Sequence, residues 1–298
     1  MRRLFYTDQH TIELPPGHKF PITKYAKLRA ELIADGNFEF EPAPLAAREV
    51  IEQVHDANYV EQFLSGALPP QVMRRIGFPW SEGLVLRTLA SVGGTLAAAS
   101  EALQQGWGGT LAGGTHHAFR GAGAGFCVFN DIAVASEWLR RERAIERIAV
   151  VDCDVHQGDG TAQIFAGDDG VFTLSLHGHK NFPFRKQSSR LDIELEDGTG
   201  DEDYLSALTP ALDAVFAFRP QFVFFQSGVD ALAVDRLGRL ALTHEGLRRR
   251  DQLVLGSCRD HHIPVAITLG GGYSDPIEAT VQAHANTFRT AHAVFDGG

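Results

Sequence analysis

Four near-continuous apolar runs constrain this chain most: "RIAVVD" at 147–152, "GVFTLSL" at 170–176, "PQFVFFQS" at 220–227 and "IPVAITL" at 263–269. Runs this apolar do not alternate between a wet and a dry face. They predict strands buried on both sides, the habit of parallel sheets. Helical patterns lie between most of them, such as "DYLSALTPALDAVFAF" at 203–218 and "HEGLRRRDQLVLGSCRD" at 244–260. Upstream, "EGLVLRTLASVGGTLAAASEALQQG" predicts a long helix with a glycine stop, "GGTLAGG" a short strand, and "NDIAVASEWLRRERAIE" a helix capped by Asn130. Alternating strands and helices predict an α/β chain, with three α/β/α layers around a largely parallel central sheet. Nothing in the 298 residues reads as a repeat or low-complexity linker, so a single domain, 1–298, is expected.

The formal net charge of −10 disfavours non-specific nucleic-acid binding, which needs a basic face. It leaves open a cationic substrate such as a lysine-bearing peptide or a polyamine. Cys127, Cys153 and Cys258 are odd in number and show no CxxC spacing, so no disulfide framework is expected and a cytoplasmic setting is the simplest. The N-terminal "MRRLFYTDQH" lacks the apolar core of a signal peptide, and no membrane span is expected. No oligomer interface is legible.

The unusual polar residues follow the ends of the expected strands. His116 and His117 follow the first, "DCDVHQGD" the second, "SLHGH" the third, "SGVD" the fourth and "GGGY" the fifth. Open α/β sheets build their sites at the carboxyl ends of strands. Asp152, Asp154 and His156 alternate by two, which on an extended segment points them to one side, as a divalent metal would need. Cys153 should then point away into the core. Asp230 is the best candidate for a third ligand, and the set Asp154, His156 and Asp230 leaves a fourth position open. Asp152 and Asp159 could each back one of the paired histidines, strengthening it as a base. Two such dyads could divide general-base and general-acid work.

Tyr273, after three glycines, could donate a hydrogen bond to a developing oxyanion. Gly125, Phe126 and Phe182 could wall an apolar channel. His261 and His262 form an equally tight pair, but without flanking glycines they read as solvent-facing or helix-capping residues. The acidic "DIELEDGTGDEDY" reads as a solvated loop and helix start.

In order, "GG-x-HHA…GFC…ND", "VD-x-D-x-HQGDG", "SLH", "SG-x-D" and "GGGY" resemble the histone deacetylase family of the arginase-deacetylase fold. The resemblance runs from about "PPGHKFPITKY" to "LGGGY". "GFPWSEGLVLRTLASVGGT" and "DRLGRLALT" look more like the class IV and related bacterial branch than class I, whose "YDCP" stretch is absent. The resemblance implies zinc ligands at Asp154, His156 and Asp230, and tandem acid-base histidines at His116 and His117 paired with Asp152 and Asp159. It implies a carbonyl-polarising tyrosine at Tyr273 and aromatic tunnel walls at Phe126 and Phe182. It also suggests a structural K+ or Na+ near Asp152, Asp154, His156, Ser175 and Leu176. In class IV relatives the position of Asp159 can be asparagine; here both dyads are intact. A carboxylate-rich site accepts Zn2+ or Fe2+.

The implied reaction is metal-assisted hydrolysis of an N-acyl amide, with acyl-lysine in peptides or proteins as the main expectation. His117 would take a proton from the attacking water and, with His116 assisting, return one to the leaving amine. An acetylpolyamine deacetylase would use the same residues. Polyamine-selective relatives can carry a glutamate near the mouth, and the matching position here is Leu237. A two-manganese ureohydrolase would want S-x-D-x-D, whereas "SGVDALAVD" offers only Asp230 at the needed place. A degenerate binding module should have lost a ligand, a dyad histidine or the tyrosine, and none is lost.

Overall fold

The computed structural model describes residues 1–297. Its strands are β1 (Arg2–Tyr6), β2 (Phe38–Pro42), β3 (Trp107–Thr110), β4 (Ile148–Asp152), β5 (Val171–Gly178), β6 (Leu191–Leu195), β7 (Phe222–Gly228) and β8 (Val265–Gly270). They form one sheet in the order β2-β1-β3-β8-β7-β4-β5-β6. Every neighbouring pair is parallel. The helices are α1 (Lys24–Asp35), α2 (Arg48–Ile51), α3 (Ala57–Leu64), α4 (Pro70–Ile76), α5 (Glu82–Gln105), α6 (Asp131–Arg143), α7 (Asp159–Ile164), α8 (Asp201–Ala217), α9 (His244–Asp260) and α10 (Glu278–Phe295). One packed group runs α5–α6 over β3, and another runs α1–α10–α9–α8. The result is the expected three-layer arrangement.

The four apolar runs became β4, β5, β7 and β8, and every residue in these strands is buried. The edge strands are wetter: β2 and β6 each bury one residue of five. Strand β6 corrects the sequence reading, because four of its five residues, 192–195, open the acidic run expected to be a loop and helix start. Its backbone pairs with β5 from Leu174↔Leu191 to Gly178↔Leu195, and its Asp and Glu side chains suit an edge that must not pair further. The rest of that run starts α8, with Asp201, Glu202 and Asp203 in the first turn.

Strand β3 ends at Thr110, earlier than expected, so "GGTLAGG" is only half strand. Leu111–Thr115 is irregular backbone tied down by one carboxylate. Asp131 accepts from the Gly114 N–H at 2.9 Å, the Thr115 N–H at 2.7 Å and the Thr115 hydroxyl at 2.6 Å. Asn130 caps α6 as expected, its side chain accepting from Ala133 N–H at 2.9 Å. Helix α5 also departs from expectation, because its 24 residues are long and apolar enough to cross a membrane. That apolar character faces protein: α5 packs against β3, α6 and β8, and more than half of its most apolar stretch is buried. The three cysteines are buried and free, and Cys153 is in the core.

A buried histidine pins the loop before α6. His55 Nδ1 lies 3.1 Å from the Arg120 carbonyl, and its Nε2 accepts from Asn130 N–H at 2.8 Å. Those roles fit only the neutral ring with hydrogen on Nδ1. Burial lowers its pKa to about 4, against an opposing pull from the Arg120 and Phe119 carbonyls. A histidine pKa depressed by folding contributes stability that is complete above about 6.5 and is lost as pH falls toward 4. In denaturant titrations across that window, His55→Gln is expected to reduce the pH slope of stability by up to one proton, about 1.4 kcal/mol per pH unit. An unchanged slope would show that His55 is protonated in the native state.

Candidate metal and acid-base site

Strands β3, β8, β7, β4 and β5 are contiguous in the sheet, and the five polar segments follow their carboxyl ends. The sheet register therefore brings distant residues together. Asp152 stands opposite Gln226 on β7 and Ser175 on β5. Asp230 lies just past β7 and reaches the same place as Asp154 and His156. One ligand atom from each of these three lies within 4.8 Å of the others.

The geometry of "DCDVH" differs from an extended strand. Strand β4 stops at Asp152, and the chain turns through bends. Asp154 Oδ1 accepts from His156 N–H at 2.9 Å, an aspartate-stabilised turn that aims both side chains at one point. Asp230 Oδ1 accepts from Val155 N–H at 2.9 Å and ties the β7 loop to this turn. His156 Nδ1 then lies 3.0 Å from Asp154 Oδ1 and 3.1 Å from Asp230 Oδ2. Burial and the Asp154 charge push Asp230 up to about 7. Against burial, the same two carboxylates lift His156 to about 10. Two buried carboxylates thus compete for one positive partner. A divalent cation bound by one nitrogen and two carboxylate oxygens satisfies all three, so the donor set fits a metal.

The two histidines occupy the expected dyads. His116 Nδ1 is 2.7 Å from Asp152 Oδ2, and His117 Nδ1 is 2.7 Å from Asp159 Oδ1. Their rings are 4.0 Å apart, and His117 is 6.0 Å from the His156 ring. Their environments differ. For His116, burial opposes charge, but Asp152 with Asp154 and Asp159 lifts the pKa to about 9. For His117, burial and the neighbouring His116 charge lower it to about 4, despite Asp159.

A cavity of about 930 Å³ opens onto this cluster and is lined by His116, His117, Gly125, Phe126, Asp154, His156, Phe182, Leu237 and Tyr273, among others. Phe182 meets His117 edge to face at 4.9 Å, and Phe126 lies 6.2 Å from the Tyr273 ring. Gly125 has φ +55°, and a Cβ there would stand 2.7 Å from His117 Cδ2. Of the residues suggested for a monovalent cation, Ser175 and Leu176 are buried on β5, and Asp152 Oδ1 accepts from Asp154 N–H at 3.0 Å. His261 and His262 are exposed, and His261 stacks on Phe216 at 4.4 Å, far from the cluster in role.

Several contributors were not identified from sequence. Phe20 and Phe78 pack on Phe126 at 5.3 Å each, so the N-terminal segment and the α4–α5 loop build that wall. "PPGHKFPITKY" marked the start of the resemblance, but no pattern in it announced a wall. Asp235 accepts from Leu237 N–H at 2.8 Å, Gly238 N–H at 2.9 Å and Tyr273 N–H at 2.6 Å, holding the last two loops together. Its only sequence signal was a second aspartate in "SGVDALAVD".

This fold is the arginase-deacetylase fold. The crystal structure of an acetylpolyamine aminohydrolase from Burkholderia pseudomallei, from an iodide soak, shares it with a TM-score of 0.80 at 21% identity, covering 99% of each chain. The chain belongs to the histone deacetylase family, whose domain matches residues 18–289. It is 44% identical over 294 residues to an uncharacterised protein of Picosynechococcus, covering 97% of this chain and 98% of that one. It is 31% identical over 286 residues to a histone deacetylase-like amidohydrolase of Pseudomonas aeruginosa, covering 87% and 73%. It is 29% identical over 269 residues to histone deacetylase 2 of Arabidopsis thaliana, covering 86% and 70%. The chain is therefore a hydrolase of the deacetylase family.

Gly271 tests how closely the cluster is confined. Its φ is +48°, and a Cβ there would lie 1.8 Å from Asp230 Oδ2. Gly271→Ala must displace the Asp230 carboxylate. We expect the variant to keep its circular dichroism spectrum but to bind Zn2+ on the order of tenfold more weakly, as with other changes that misorient a ligand. Competition with a chromogenic chelator reads this directly, and undiminished affinity would place Asp230 outside the ligand set.

Proposed function

We propose that this chain hydrolyses N-acyl amides, with acyl-lysine side chains in peptides or proteins as substrates and Zn2+ held by Asp154, His156 and Asp230. The observation that carries the reading is the joint geometry: a three-ligand cluster and two histidine–carboxylate dyads at the floor of one aromatic-walled cavity. Fe2+ suits the same oxygen-rich donors. When bound, the ion supplies Lewis acidity at the amide carbonyl.

The chain's own residues take the remaining work. Phe126 and Phe182 hold an apolar side chain in extended form and keep bulk water from its flanks. Tyr273 lines the same cavity and donates a hydrogen bond from its hydroxyl to the carbonyl oxygen as charge develops there. His117 lies against Phe182 and Gly125, on the tunnel side of the pair, and is the base that takes a proton from the attacking water. His117 then carries a proton to the departing lysine nitrogen, with His116 providing electrostatic support. Asp159 and Asp152 hold each ring by Nδ1, leaving Nε2 for chemistry. A K+ or Na+ beside Asp152, Asp154, His156, Ser175 and Leu176 would stiffen the same turn. A cytoplasmic setting suits three free, buried cysteines.

The second reading is an acylated small amine, and the shared fold with an acetylpolyamine aminohydrolase favours it. A panel of acetyl-, butyryl- and myristoyl-lysine peptides beside acetylated polyamines, assayed with Zn2+ or Fe2+ added to chelator-treated protein, tests both. Hydrolysis should require added metal. His117→Ala should lower kcat by about 10²–10⁴-fold and Tyr273→Phe by about 10²–10³-fold. Undiminished turnover in both variants would overturn these roles.

A further inference from the structure

The cavity mouth has the opposite charge to the protein around it. The chain carries a formal net charge of −10. Yet Lys19, Arg75, Lys180, Arg185 and Arg239 all line the cavity and are all exposed. Among the described residues, the only carboxylates in its lining are Asp154 and Asp159, and both are buried at the floor. Lys180 and Arg239 share one partner, Asp197, at 3.8 and 3.2 Å. Lys19, Arg75 and Arg185 face no carboxylate within ion-pair distance among the described residues. Leu237, also in the lining, contributes no charge.

The loop that carries Arg185 is braced, and so is its link to the loop that carries Arg239. Lys186 Nζ donates to the carbonyls of Asn181 at 2.6 Å and Pro183 at 2.7 Å, bracing the loop that carries Phe182 and Arg185. Gln157 grips the end of the same loop through both the carbonyl and the N–H of Gln187, at 2.7 and 2.8 Å. Asn181 Nδ2 donates to the Leu237 carbonyl at 2.8 Å and joins this loop to the one bearing Arg239. The five cations come from four separate stretches of chain, so they meet a substrate on several sides of the opening.

We infer that this basic mouth selects acyl-lysine side chains flanked by carboxylates, and disfavours acylated polyamines. The inference rests on the acyl-lysine reading and names its substrate class. An acylated lysine nitrogen carries no charge, so the tunnel itself draws nothing from the field of the rim. The peptide backbone stays at the mouth when its side chain enters, and the residues on either side then lie over the cations. Aspartate or glutamate there forms exposed ion pairs, each modest alone but additive across several sites. A polyamine tail would leave protonated amines among unpaired lysine and arginine side chains, a like-charge arrangement that opposes binding.

The test uses one acetyl-lysine peptide core with acidic, neutral or basic flanks, beside a monoacetylated polyamine, all with metal-loaded protein. We expect kcat/KM to fall from acidic to basic flanks by on the order of tenfold, and the difference to shrink as added salt screens the rim. In Arg75→Glu/Arg185→Glu the acidic-to-neutral ratio should drop to about one or below. Binding of the same peptides to His117→Ala, read by fluorescence anisotropy, should follow the same order. Equal rates for all three flanks would overturn the basic-mouth inference and leave the acyl-lysine reading standing. Hydrolysis of the polyamine with no peptide cleaved would overturn both.

Discussion

Two buried carboxylates, Asp154 and Asp230, press on the same imidazole nitrogen of His156 from the ends of two different strands. Burying even one carboxylate in a protein interior costs several kcal/mol unless it is compensated. Here the compensation comes from His156, from the backbone N–H groups of Val155 and His156, and from the positive charge that the donor set invites. That requirement shapes the sheet around it. Strands β4 and β7 must be neighbours, as their register from Ile148↔Phe222 to Asp152↔Gln226 makes them. The approach must also be close enough to leave no room for a side chain at Gly228, where a Cβ would stand 2.3 Å from Asp154 Cα.

The histidine pair depends on that charge cluster in turn. The rings are nearly in contact, yet they settle in opposite protonation preferences because Asp152 and Asp154 crowd His116 while His117 feels His116 itself. Two bases of like type thus become unlike through position. The loop that presents them has little regular structure of its own, and Asp131 replaces the missing strand bonds with three side-chain acceptances. On the far side, Asp235 does the same for the Tyr273 loop. A sheet edge cannot order long loops by itself, so single carboxylates, Asp131 fully buried and Asp235 partly so, act as local fasteners.

The central strands and the residues after them were legible because their signals are local. Continuous apolar runs mean two-sided burial, and polar residues just past such runs have few other reasons to be there. The edge strands were not. Leu191–Leu195 alternates leucine or isoleucine with acids, but it runs straight into the acidic 196–203 stretch, which masks that short alternation, and its pairing with β5 makes it a strand. Arg2–Tyr6 and Phe38–Pro42 are short and sit at the other edge, where half-exposed residues blur the pattern. The alternation of Asp152, Asp154 and His156 assumed an extended backbone that the chain does not have there, although Asp154 and His156 do meet. A turn closed by Asp154 brings the side chains together, and spacing alone does not separate that from an extended run. The aromatic wall from Phe20 and Phe78 was hidden for a different reason, since it joins segments far apart in sequence to Phe126.

The floor and mouth of the cavity therefore ask different things of a substrate. At the floor, buried acids and imidazoles, with the cation their donor set would hold, suit an amide that brings no charge of its own. At the mouth, Lys19, Arg75 and Arg185 act on groups that never reach the reacting carbonyl. Contacts of the second kind are made equally before and during bond breaking. They favour one substrate over another through KM and leave the chemical step to the floor. A chain of net charge −10 whose cavity lining holds no exposed carboxylate among the described residues, and whose rim leaves Lys19, Arg75 and Arg185 without one, separates choice of substrate from catalysis along the axis of one tunnel.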